Sequence, residues 1–81
     1  MERVTAKERI TIDPNICNGK PAIRGMRIRV KTVLEYIAAG ETIENILSAY
    51  PFLEKEDITA ALDFAAIAVD HVVHSVELQR A

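Results

Sequence analysis

Apolar and polar positions alternate first in twos and later in threes and fours, so a short β segment precedes a helical body. Ile10 and Ile12 fall on one face and Arg9, Thr11 and Asp13 on the other, the period of a half-buried strand. Pro14 and Asn15 open a loop that runs through Asn18 and Gly19. Alternation returns over 27–31, with Ile28 and Val30 facing one way and Arg27, Arg29 and Lys31 the other. Gly25-Met26 before it suits a two-residue type II′ turn with Gly first. That turn sets Ile23 opposite Ile28 on the core face, and Arg24 opposite Arg27 and Ala22 opposite Arg29 outside.

Helical spacing follows. Val33, Leu34, Ile37 and Ala38 predict a first helix over about 31–39, stopped by Gly40. Thr42 suits the N-cap of a second over about 43–50, with Ile43, Ile46, Leu47 and Tyr50 apolar and Pro51 ending it. A third starts near Lys55 and runs to about 78, with Glu54, Glu56 and Asp57 at its first turn, where the helix dipole favours negative charge. Within it, positions 58, 62, 65, 69, 72 and 76 step by four and three, the spacing of a coiled-coil seam. Leu34, Ile37, Ile46, Leu47, Ile58 and Leu62 are the expected centre of the tri-helical core. The third helix outreaches anything that covers it, so Val69, Val72, Val73 and Val76 are expected to meet a partner or a second copy. Residues 1–8 read as a loose arm and 9–81 as one domain. The expected fold is α+β, mainly α: an N-terminal β-hairpin or three-strand patch against a tri-helical, helix-turn-helix-like unit with a long C-terminal helix.

Charge changes this picture. Residues 1–31 carry eight Lys/Arg against three Asp/Glu, a net of +5, while 32–81 carry two against nine, a net of −7. Five cations, Lys20, Arg24, Arg27, Arg29 and Lys31, crowd 19–31 without an acid. Such asymmetry points to a polyanionic partner, and these five are the candidate nucleic-acid contacts. A two-stranded ribbon fits the major groove, and Arg pairs bidentately with guanine or phosphate. The plain alternative is a solvated face whose cations pair with the acidic helices. Docking by the start of helix three is disfavoured, since Glu54, Glu56 and Asp57 would face phosphates beside a single Lys55. Tyr36, Tyr50, Phe52 and Phe64 sit in or beside helical core positions, which leaves no stacking platform for a single strand.

Cys17 is the only cysteine, which excludes an intramolecular disulfide. His71 and His74 lie three apart but are read as surface residues, because a closed metal site needs more ligands. No metal, cofactor or catalytic set is expected, so the chain reads as a non-enzyme. No secretory h-region and no run near ~20 apolar residues occur, so a cytoplasmic protein is expected.

The segments Ile12-Asp13-Pro14, Gly19-Lys20-Pro21-Ala22-Ile23-Arg24-Gly25, Arg27-Ile28-x-Val30, Gly40, Tyr50-Pro51 and Glu56-Asp57-Ile58 resemble the bacterial domain-of-unknown-function family 433, over about residues 10–66. Many proteins similar to this look like antitoxins of type II toxin–antitoxin pairs, encoded beside a PIN-like ribonuclease toxin. The resemblance implies an antitoxin-like protein that binds such a toxin; with the seam of helix three and the basic stretch, the expected protein is a homodimer that also contacts operator DNA. A dimerising scaffold without nucleic-acid contact is the alternative. It also assigns Arg24, Gly25 and Arg27 to the signature hairpin. Met26 departs from a common Thr, and Glu54 from a capping Thr, which shifts the expected start of helix three by up to a turn.

Overall fold

The computed structural model describes residues 9–75, with side chains described as far as Asp70. Strand β1 (Ile10–Thr11) pairs antiparallel with β2 (Ala22–Ile23), Ile10 facing Ile23 and Thr11 facing Ala22. Three helices follow: α1 (Val30–Ala38), α2 (Ile43–Ala49) and α3 (Lys55–Ser75). The architecture is α+β, mainly α, and the predicted helices start within a residue of place; the expected end of the third, near 78, lies outside the described residues. Lys55 opens α3, so the missing Thr cap shifts nothing. The proposed arm, 1–8, lies outside the described residues.

The helix boundaries have local causes. Thr42 Oγ1 accepts from the Asn45 N–H at 3.1 Å and caps α2. At the end of α1, Gly40 takes φ +91°, and the Glu41 N–H reaches the Tyr36 carbonyl at 3.0 Å. The Gly40 N–H reaches Ile37 at 3.0 Å, completing a Schellman stop.

The β region departs from expectation in three places. Residues 27–31 form no strand: Arg29 meets Ala22 in an isolated bridge, and α1 already begins at Val30. β1 ends at Thr11, because the chain turns back at Asp13, whose carbonyl accepts from the Ile16 N–H and whose carboxylate accepts from the Asn15 N–H. Ile12, placed on the core face by alternation, is therefore 64% exposed. The turn at Gly25 is also one residue earlier than predicted. Arg24 and Gly25, at φ +45° and +69°, are its central pair, and the Met26 N–H closes onto the Ile23 carbonyl at 2.8 Å. Paired positive φ values belong to a type I′ turn rather than II′. Ile23 still donates to the Ile28 carbonyl at 3.1 Å, and Ala22 still bridges Arg29. The register holds, but Arg24 leaves the outer face it was to share with Arg27.

Ile23, Ile28, Val33, Ile46, Leu53, Ile58 and Ala61 form the buried centre, with Leu34, Ile37, Leu47 and Phe64 packed around it. Leu62, expected inside, is 44% exposed. α3 turns positions 57, 58, 60 and 61 inward instead, which rotates the 3–4 seam off the core after Ile58.

Candidate nucleic-acid interface

The five candidate cations separate into two groups. Arg24 is held by the fold. Its Nε and Nη2 donate to Asp57 Oδ1 and Oδ2 at 2.9 and 2.8 Å, a two-pronged fork, and Nη2 also reaches the Phe52 carbonyl at 3.0 Å. Arg9 Nη1 bridges Asp57 and Glu54 at 2.9 and 2.7 Å. Asp57 is fully buried and also accepts from the Glu54 N–H at 2.8 Å, which caps α3 from its third position. Two guanidinium groups and two carboxylates thus balance, and the network ties β1 and the turn to the start of α3. It also supports Arg24 at positive φ, a conformation that costs a non-glycine residue ~1–3 kcal/mol.

Lys20, Arg27, Arg29 and Lys31 form the second group. Lys20 and Arg27 are exposed and make no ion pair or side-chain hydrogen bond among the described residues. Arg29 stands at the N-cap of α1 with its Nε buried and without an acceptor. Lys31 reaches Glu35 at 3.7 Å with both side chains well exposed, a contact that solvent leaves weak. The first turn of α1 has no acid and no side-chain cap. Cations gathered at the positive end of a helix dipole are unfavourable there, and an anion would relieve them.

Two hollows flank this group. A groove of about 450 Å³ runs between α1 and α3, floored by Leu34, Phe64, Ala65 and Ala68 and edged by Lys20 and Lys31. A pocket of about 410 Å³ lies between the turn and the end of α2, walled by Arg27, Arg29, Thr32, Tyr50 and Phe52. On α3, Val69 is 59% exposed. The side chains of Val72 and Val73, and all of Val76, lie outside the described residues, as do those of His71 and His74.

Sequence reasoning missed Asp57, which it treated as a solvent-facing dipole partner. The available signal was its place beside Ile58 and four residues before Ala61, on the helix's inward stripe. At the same end of α3, Glu54 is exposed but paired with Arg9, so Glu56 is the acid of the three that is left to the repulsive role assigned to all of them.

The network has a pH signature. Burial pushes the Asp57 carboxyl up, but the Arg24 fork, the Glu54 N–H and Arg9 together outweigh it and hold the group below its ordinary range. The unfolded chain takes up this proton near pH ~3.9 and the folded chain only below that. Between those values the unfolded state binds more protons, so stability falls with pH there and is fully present above about pH 5. Melting temperature should therefore drop as pH is lowered from 5 toward 3, and Asp57→Asn should show a shallower drop. Parallel curves for the two proteins would contradict the assignment.

Comparisons with known proteins agree with this architecture. A crystal structure of a DUF433 member protein from Anabaena variabilis ATCC 29413 superposes with a TM-score of 0.72 at 31% identity, covering 83% of this chain and 66% of that one. The uncharacterized protein y4eO of Sinorhizobium fredii is 40% identical over 60 residues, 74% of this chain but only 27% of its own length. The chain thus spans about a quarter of that curated relative. No described helix is long and apolar enough to cross a membrane. The family model described as "protein of unknown function (DUF433)" matches residues 10–65, and the chain belongs to that family.

Proposed function

We propose that this chain is an antitoxin-like, non-enzymatic binding module of a type II toxin–antitoxin pair. It acts in the cytoplasm as a homodimer that holds a PIN-like ribonuclease and duplex DNA. The observation that carries the reading is the group of Lys20, Arg27, Arg29 and Lys31 by the start of α1, of which only Lys31 meets an acid among the described residues, and weakly, and where neither a side-chain cap nor a first-turn acid answers the helix dipole. A phosphate backbone supplies that missing charge. The family resemblance supports the ribonuclease partner.

Arg24 is left out of the contact set, because Asp57 already occupies its guanidinium. The dimer rests on a different stripe. Leu62, Ala65 and Val69 continue the 3–4 spacing where the core no longer covers it. A seam of that period packs against a helix of the same spacing, which a second copy supplies. That stripe also favours the scaffold reading if DNA is not bound.

Salt dependence tests the basic face. Each phosphate contact removed should flatten the plot of log K against log[salt] by about 0.9. Lys20→Ala with Arg27→Ala should therefore flatten it by about 1.8, and Lys55→Ala by at most about 0.9. Equal effects would overturn this docking face. Co-expression with the product of the neighbouring gene should yield a complex in which ribonuclease activity is suppressed. No salt-sensitive DNA binding and no such complex would leave the scaffold.

A further inference from the structure

Phe52 is 53% exposed, although its neighbours in sequence lead into a buried Leu53. Its ring stands edge-on to Tyr50, with centroids 5.8 Å apart and planes at 74°. Tyr50 is edge-on to Tyr36 in the same way, at 5.8 Å and 69°. The Tyr pair fixes the position of Phe52, and an edge-on contact leaves a flat face of Phe52 available to a second π-system. The expectation that no stacking platform exists therefore fails for Phe52: Pro51 ends α2, and the short link to α3 carries the ring out over the surface.

The other wall of this pocket is cationic. Arg27 is exposed and unpaired among the described residues, and Arg29 Nε is buried without an acceptor. Thr32 adds a hydroxyl, and no carboxylate among the described residues lines the space. At about 410 Å³ the pocket is within the size range of small-ligand sites.

We propose that the pocket walled by Arg27, Arg29, Thr32, Tyr50 and Phe52 takes an unpaired nucleotide of a single-stranded nucleic acid, its base on Phe52 and its phosphate on the two arginines. Free phosphate or an acidic peptide would satisfy the guanidinium groups and leave the ring wet. A purely apolar ligand would cover the ring and leave the Arg27 and Arg29 side chains that line the pocket without an anion. A ligand with a planar face and an adjoining anion answers both walls, and stacking on an aromatic ring beside Arg is the usual way single strands are held. Duplex DNA meets only the cations, because its bases are already stacked and paired. The inference deepens the nucleic-acid reading above and rests on it.

The test uses the full chain and fluorescence anisotropy with a 3′-labelled, 5′-phosphorylated single-stranded DNA pentamer and, separately, a labelled duplex. Phe52→Leu keeps apolar bulk, removes the ring and, at an exposed position, leaves the fold intact, which circular dichroism verifies. Stacking of one base predicts roughly five- to hundredfold weaker single-strand binding in Phe52→Leu, with duplex binding unchanged. Arg27→Ala should weaken both. Full single-strand affinity in Phe52→Leu would overturn the pocket while leaving duplex binding by the basic face intact. Displacement of the pentamer by inorganic phosphate as readily as by a mononucleotide would also overturn it, because charge alone would then account for binding. No salt-sensitive binding of either probe to the parent protein would overturn this inference and the duplex reading together.

Discussion

Asp57→Ala should lower the melting temperature by about 10–20 °C, the largest effect expected of any single substitution here. Removing one partner from a buried ion pair costs ~3–5 kcal/mol. Arg9 and Arg24 keep 25% and 35% of their side-chain surface in water, so solvent lowers the expected loss to about 2–3 kcal/mol. At ~4–8 °C per kcal/mol for a domain of this size, that gives the stated shift. Three consequences combine: two guanidinium groups lose their buried carboxylate and keep only Glu54 and the Phe52 carbonyl, the Glu54 N–H loses its cap, and Arg24 loses the support for its positive φ. Asp57→Asn keeps the shape and one acceptor, so it should cost about half as much. Arg9→Ala should cost least, since Arg24 still holds the carboxylate. Thermal denaturation followed by circular dichroism at pH 7 orders the four proteins. A shift below about 4 °C for Asp57→Ala, less than ~1 kcal/mol, would show that the network adds little.

Leu62→Glu combined with Val69→Glu should turn a dimer into a monomer. In an isolated chain both positions are largely exposed, and such substitutions are worth about ±0.5 kcal/mol or less. In a dimer that buries on the order of 1,200–2,000 Å² they place carboxylates in the seam. The two cases differ so widely that sedimentation equilibrium at micromolar concentration separates them. A parent protein that sediments at 9.0 kDa would rule the dimer out. Truncation after Val69 makes the complementary test. Every fully buried apolar residue among those described lies at or before Ala61, so the remnant should keep its helical signal, while self-association, left with Leu62, Ala65 and Val69 alone, should weaken. A truncated chain that associates as tightly as the full one would show that nothing beyond Val69 contributes to the seam.

The candidate site was only partly legible in the sequence. The charge cluster could be read directly, because five cations in thirteen residues need no fold to be seen. Which of them remain available could not. Arg24 and Arg27 are three residues apart and chemically alike, yet one meets a carboxylate thirty-three positions away while the other is unpaired among the described residues. Phe52 was misjudged for a related reason. An aromatic ring just past a helix suggests core, and only the path of the link between α2 and α3 turns it outward.

Local interactions explain what the sequence determined by itself. Helix starts and stops depend on contacts three to five residues apart, so Thr42, Gly40 and Pro51 bounded α1 and α2 closely. The pairing of Ile23 with Ile28 is equally short-range and followed from alternation. The tertiary structure decided everything that depends on rotation or distant charge. A helix with apolar residues on several sides can turn more than one stripe inward. After Ile58, α3 turns 60 and 61 inward rather than the seam position 62, and Asp57 lies inside with them because Arg9 and Arg24 neutralise it. A carboxylate enters a core only where such partners already converge, and that convergence exists only once the chain has folded.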